Sequence, residues 1–91
     1  MAAEEQLRQL QRLLRLSEPP ADIAAGQALV RERAAEVADG LFAEAAAQDD
    51  VVDLDSARSY LELRLRHLEP LLDAESCEVI RARFEARLAS W

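Results

Sequence analysis

The amino-acid sequence predicts an all-α fold, a small bundle of four helical segments, and three observations carry that prediction. Alanine (18) and leucine (15) dominate a chain of 91 residues that otherwise consists largely of glutamate, glutamine and arginine, the strong helix formers. Only seven residues are β-branched and only two are glycine, so a sheet has little to be built from. Apolar residues recur at steps of three and four between three breaks, at Ser17 to Pro20, at Gln48 to Asp55 and around Pro70 to Asp73. A chain of this length holds one domain, spanning 1–91.

The first segment is expected over about 3–16. Ala3, Leu7, Leu10 and Leu14 share one face, Leu13 widens it, and Arg8, Arg12 and Arg15 line the opposite side as a solvated stripe. Pro19 and Pro20 are expected to end it, because a proline removes a backbone donor and pushes the preceding residue out of helical dihedrals. Pro20 is then expected to open the next helix.

The second segment is the longest, about 21–47, read as one helix through Asp39-Gly40. Ile23, Val30 and Val37 recur every seventh residue, with Gln27, Ala34 and Leu41 interleaved. Most other apolar positions here are alanine, which lets a second helix approach closely. Unbroken, such a helix spans about 40 Å, longer than the others can cover, and a homodimer in which two such seams meet would cover the rest. The same need arises from size, since a domain this small buries only about 60 to 65% of the surface its unfolded chain exposes.

The third segment is expected over about 56–69, capped by Asp53 or Asp55. The run Leu61-Glu62-Leu63-Arg64-Leu65-Arg66 alternates as a strand would, but Leu54, Leu61 and Leu68 recur every seventh residue and no second strand exists to pair with. Arg58 with Glu62 and Glu62 with Arg66 stand at the spacing of helical ion pairs. The fourth segment, about 74–90, has Asp73 as its cap, Glu75 and Glu78 at the positive end of the helix dipole, and Cys77, Ile80, Phe84, Leu88 and Trp91 as its stripe.

Charge is distributed unevenly. Arginine and acid balance before residue 34 and after residue 57; between them stand Glu36, Asp39, Glu44, Asp49, Asp50, Asp53 and Asp55 with no cation, and this stretch holds the whole net charge of −7. A solvated loop whose aspartates cap the next helix is the plain reading. The functional reading is an acidic docking segment at 36–55 for a partner with a basic surface, with Glu36, Asp39, Phe42, Glu44, Asp49, Asp50 and the aromatic Trp91 as its contact residues. A calcium loop is not expected, because the spacing lacks the central glycine and closing glutamate of an EF-hand.

The remaining chemistry-bearing residues are isolated. His67 is the only histidine and Cys77 the only cysteine, so neither a histidine metal site nor an intrachain disulfide is expected. No phosphate-cradling glycine loop, nucleophile elbow or zinc-binding helix motif occurs. The acidic balance, with a pI near 4.6, disfavours nucleic acid as a partner. No apolar run approaches the about 20 residues of a membrane span, and the start of the chain does not read as a signal peptide. These observations lead to an expectation of a cytoplasmic, non-catalytic protein–protein interaction module without cofactor, an adaptor, assembly factor or chaperone-like subunit. The alternative is an acidic inhibitor or antitoxin-like protein that blocks a basic site of an enzyme or nucleic-acid-binding protein.

Overall fold

The computed structural model describes residues 3–91, and these residues fold as helices and connections with no strand among them. Helix α1 spans Ala3–Leu14, α2 Ile23–Glu32, α3 Ala34–Ala46, α4 Leu54–His67 and α5 Ala74–Leu88; a 3-10 turn at Glu69–Leu71 precedes α5. The expected fold class is present, with five α-helices where four segments were expected.

Helix α1 buries Leu7, Leu10, Leu13 and Leu14 as its stripe predicts, and Arg8, Arg12 and Arg15 are exposed. It stops at Leu14, five residues before the first proline, so the prolines do not end it. Arg15 adopts φ 55, the left-handed conformation. Its amide donates to the Arg12 carbonyl at 3.3 Å and the Leu16 amide to the Gln11 carbonyl at 3.0 Å, the pair of bonds that closes a helix on a left-handed residue. Pro20 likewise does not open α2. That role belongs to Asp22, whose carboxylate accepts from the Ala25 amide at 2.8 Å.

The expected helix over 21–47 is two helices, and the break falls at Arg33 rather than at Gly40. Arg33 sits at φ −124, ψ 36, between two helices that keep their hydrogen bonds on both sides of it: its amide donates to the Leu29 carbonyl and its carbonyl accepts from the Val37 amide. The bend lets two neighbours be served. Helix α2 packs on the 3-10 turn and α1, whereas α3 packs along α5 and also meets α1 and α4. Gly40 stays helical because what it provides is space for α1.

Helix α4 begins at Leu54, two residues earlier than expected. Asp53, not Asp55, is the cap: its carboxylate accepts from the Ser56 amide at 2.8 Å, and the Ser56 hydroxyl accepts from the Asp53 amide at 3.1 Å and from the Val52 amide at 2.9 Å. This reciprocal box fixes the α3–α4 connection as well as the helix start. Helix α5 starts as expected on Asp73, which accepts from the Ser76 amide at 2.7 Å.

Helix α3 is the centre of the molecule. Val37, Ala38 and Leu41 are fully buried in the one core that also holds Leu10 of α1, Leu68 and Leu71, and Ile80 and Phe84 of α5. Burying one such leucine or phenylalanine contributes about 1.5 to 3 kcal/mol relative to leaving it exposed. The seam expected to meet a second copy is covered by the chain's own helices: Val30, Ala34 and Val37 are buried and Ile23 is packed against the core. The break at Arg33 divides the helix expected over 21–47 into helices of 10 and 13 residues.

Candidate docking surface

Of the seven residues expected to form a contact surface, Glu36, Asp39, Phe42 and Glu44 stand on α3 and leave it on different sides, Asp49 and Asp50 lie in the connection after it, and Trp91 follows α5. Asp39 and Phe42 face α5. Arg83 donates to the Asp39 carboxylate from Nε at 2.9 Å and Nη2 at 3.2 Å, and Arg87 Nε lies 3.9 Å from it. Phe42 packs edge-to-face on Phe84, with ring centroids 5.6 Å apart, and on Trp91 at 6.2 Å, with the Arg87 guanidinium 5.4 Å above its ring. Trp91 therefore stays attached to the bundle while remaining 52% exposed. Glu36 is turned away from this cluster and pairs with Arg33 across the bend.

Glu44 points to α4. Its Oε1 accepts from Arg64 Nε at 3.0 Å and from the Tyr60 hydroxyl at 3.1 Å. The Arg64 side chain is only 12% exposed, and its Nη1 donates onward to Gln9 Oε1 of α1 at 2.6 Å. Burial together with the Glu44 charge and hydrogen bond holds the Tyr60 phenol above its ordinary range. Glu44 is thus the hub of a polar network joining three helices.

Arg64 and Arg83 from distant parts of the chain, with Arg33 from just before α3, pair with the acids of the α3 half of the acidic stretch. Hydrogen bonds from Arg83 and Arg33 hold the Asp39 and Glu36 carboxyls, respectively, below the usual carboxylate range. The same occurs between α4 and α5, where Arg58 grips Glu85 at 2.7 and 3.1 Å and Arg81 grips Glu62 at 3.0 Å twice. These bidentate pairs across helices stand in place of the ion pairs of Arg58 with Glu62 and Glu62 with Arg66 expected along α4, each guanidinium engaging both oxygens of a carboxylate on the facing helix.

What remains of the acidic stretch is its loop half. Asp49 and Asp50 are exposed and have no ion-pair or hydrogen-bond partner for their carboxylates among the described residues. Asp53 is used as a cap, and Asp55, 3.7 Å from Arg58, is otherwise open to solvent. Beside them lies apolar surface that the expected set of residues omitted. Val52 is 76% exposed, and Leu63, on the outer face of α4, is 44% exposed. Between the connection and α4 runs an open groove of about 240 Å³ lined by Asp50, Val51, Ser56, Ser59, Tyr60 and Leu63. The sequence carried one signal of it: in the alternating run from Leu61 to Arg66, Leu61 and Leu65 fall on the buried face, so Leu63 must fall on the other.

Other places in the molecule offer less chemistry. A groove of about 300 Å³ between α4 and α5 has Leu65, Leu72 and Cys77 on its walls. Burial pushes the Cys77 thiol up, away from the thiolate a nucleophile needs. Among the described residues no three His, Cys, Asp or Glu side chains are placed to hold a metal ion. No helix of the described residues is long and apolar enough to cross a membrane. No protein-family model matches the chain, and no curated protein or solved structure matches it.

Proposed function

We propose that the chain is a non-catalytic protein–protein interaction module that docks a partner with a basic surface on its α3–α4 connection and the outer face of α4. One observation carries this reading: Asp49 and Asp50, the acids of the 36–55 stretch that no arginine neutralises and no helix uses as a cap, stand next to Val52, 76% exposed. The capping box at Asp53 and Ser56 holds this connection in place, so a partner would meet it with little ordering cost. Unpaired carboxylates select and steer a basic partner, while the valine and Leu63 supply apolar area. Glu36, Asp39 and Glu44 belong to the scaffold in this reading, and a cytoplasmic setting goes with it.

The test uses the full chain, tagged and recovered from its own cells, at low and at moderate salt. Asp49→Asn/Asp50→Asn and Val52→Ser are recovered in parallel. The reading expects one protein to accompany the wild-type chain, to be lost progressively as salt rises, and to be recovered several-fold less with either variant. A companion whose recovery is indifferent to salt and to both variants rejects this surface.

A further inference from the structure

The groove between the α3–α4 connection and α4 restricts what kind of segment can fill it. Its α4 wall is the stripe Ser56, Ser59 and Leu63, at steps of three and four along the exposed face, and Asp50 and Val51 of the connection stand opposite. Two serines are the reason a groove exists here, since larger side chains at these positions would fill it. Its backbone is already committed. From Ser56 to Leu63 it belongs to α4; in the connection the Val51 amide donates to the Gln48 carbonyl, and the Val52 and Asp53 amides donate to the Ser56 hydroxyl. The Tyr60 hydroxyl donates to Glu44. An extended peptide laid here meets no row of open amides and carbonyls such as a strand edge presents. A helix needs none, because its backbone bonds are internal.

Charge and exposure then specify the side chains. Asp50 is the single charged residue among those that line the groove, and its carboxylate has no partner among the described residues. Leu63 is 44% exposed, and Val51 is packed on the core with part of its side chain still open. We propose that the groove takes an amphipathic helix of the partner, which lays an aliphatic side chain between Val51 and Leu63 and sets an arginine or lysine, one turn away, on Asp50. This rests on the reading that a basic partner docks on the connection and α4, and it adds the form of the docking segment and the side chains that it brings. Residues three or four apart share one face of such a helix, so one short segment supplies both contacts. A helix carrying glutamate in place of the cation would meet Asp50 and Asp49 as like charges.

The test titrates the full chain with capped, alanine-based peptides of about 14 residues, near the length at which an isolated helix holds in water. One carries leucines and arginines a turn apart, the second has glutamate for arginine, and the third has two central prolines that abolish the helix. The arginine peptide is expected to shift the Val51, Ser59 and Leu63 amides saturably, and the other two to leave them in place. Ser59→Arg, which fills the groove and offers Asp50 a cation from within the chain, and Leu63→Ala, which removes the apolar wall, should each weaken that binding about fivefold or more. No saturable shift at these amides, or equal binding of the proline peptide, overturns the helix. The cellular companion separates the two levels of the reading. If it depends on salt and on Asp49 and Asp50 but binds Ser59→Arg as well as wild type, a basic partner stands and the helix in this groove is wrong. If it is indifferent to all of these, both fail.

Discussion

The Leu13 carbonyl oxygen lies 2.9 Å from where a Cβ on Gly40 would sit, and the Leu13 side chain 3.2 Å from it. This is the point where α1 rests on the central helix, backbone against backbone. A glycine in a helix interior costs roughly 1 kcal/mol relative to alanine, but alanine here would force the last turn of α1 outward. Overpacking of this kind costs about 1 to 3 kcal/mol, and a backbone oxygen cannot rotate away. Gly40→Ala should therefore lower stability by about 1 kcal/mol net in denaturant unfolding, against the direction of helix propensity. Gly26→Ala is the control: the atoms its Cβ would meet are the ends of the Leu71 and Leu7 side chains, at 2.9 and 3.0 Å, which can shift. Its cost should be smaller.

Arg15 closes α1 in the left-handed conformation, φ 55, with an exposed side chain that makes no ion pair among the described residues. For an L-residue with a Cβ this conformation costs roughly 1 to 2 kcal/mol, and glycine adopts it freely at some cost in unfolded-chain entropy. Arg15→Gly should accordingly stabilise the fold by about 0.5 to 1 kcal/mol, seen as a higher denaturation midpoint with an unchanged slope. A lower midpoint would mean that the arginine side chain, not the backbone closure, is what matters there.

The fold class, the buried face of α1 and the Asp73 cap were legible in the sequence because each rests on local spacing and local chemistry. The break at Arg33 was not legible: arginine is a good helix former and no glycine or proline marks the place. What bends the chain there is the competition between two packing surfaces, one on the 3-10 turn and one on α5, which only the assembled bundle presents. The candidate surface divides in the same way. The acidic excess was visible as a feature of residues 34 to 57, yet two of the three arginines that pair with its first half come from 20 residues away, for Glu44, and 44 away, for Asp39. No pattern short of the fold connects them.

Asp73 ties the start of α5 to α2. Its carboxylate accepts from the Ser76 amide at 2.7 Å and from Arg31 Nε at 2.9 Å. These bonds hold the carboxyl at about 2, below an ordinary value of 3.8. A folded value below the unfolded one means stability that is present above the unfolded value and lost as pH falls through the folded one. Thermal midpoints should decline between pH 4 and pH 2. Asp73→Asn keeps an N-cap acceptor and removes the charge. Its deficit against wild type should be largest at neutral pH and narrow through this window. A deficit of constant size from pH 7 to pH 2 would show that the carboxylate's charge contributes nothing.

The carboxylates of residues 36–55 should sort by substitution into two kinds. Glu44→Gln leaves Arg64, 12% exposed, without its anion and weakens the network that reaches Tyr60 and Gln9. Breaking a charged hydrogen bond at so enclosed a site costs about 1 to 3 kcal/mol. Asp49→Asn/Asp50→Asn removes two charges that have no ion-pair or hydrogen-bond partner among the described residues, and surface changes of that kind stay within about 0.5 kcal/mol. It also relieves repulsion between neighbouring aspartates, so any shift should be upward. Chemical denaturation of the two variants beside wild type measures both. If the double variant is destabilised as much as Glu44→Gln, the loop aspartates belong to the scaffold, and the basic partner would have to be sought on another face.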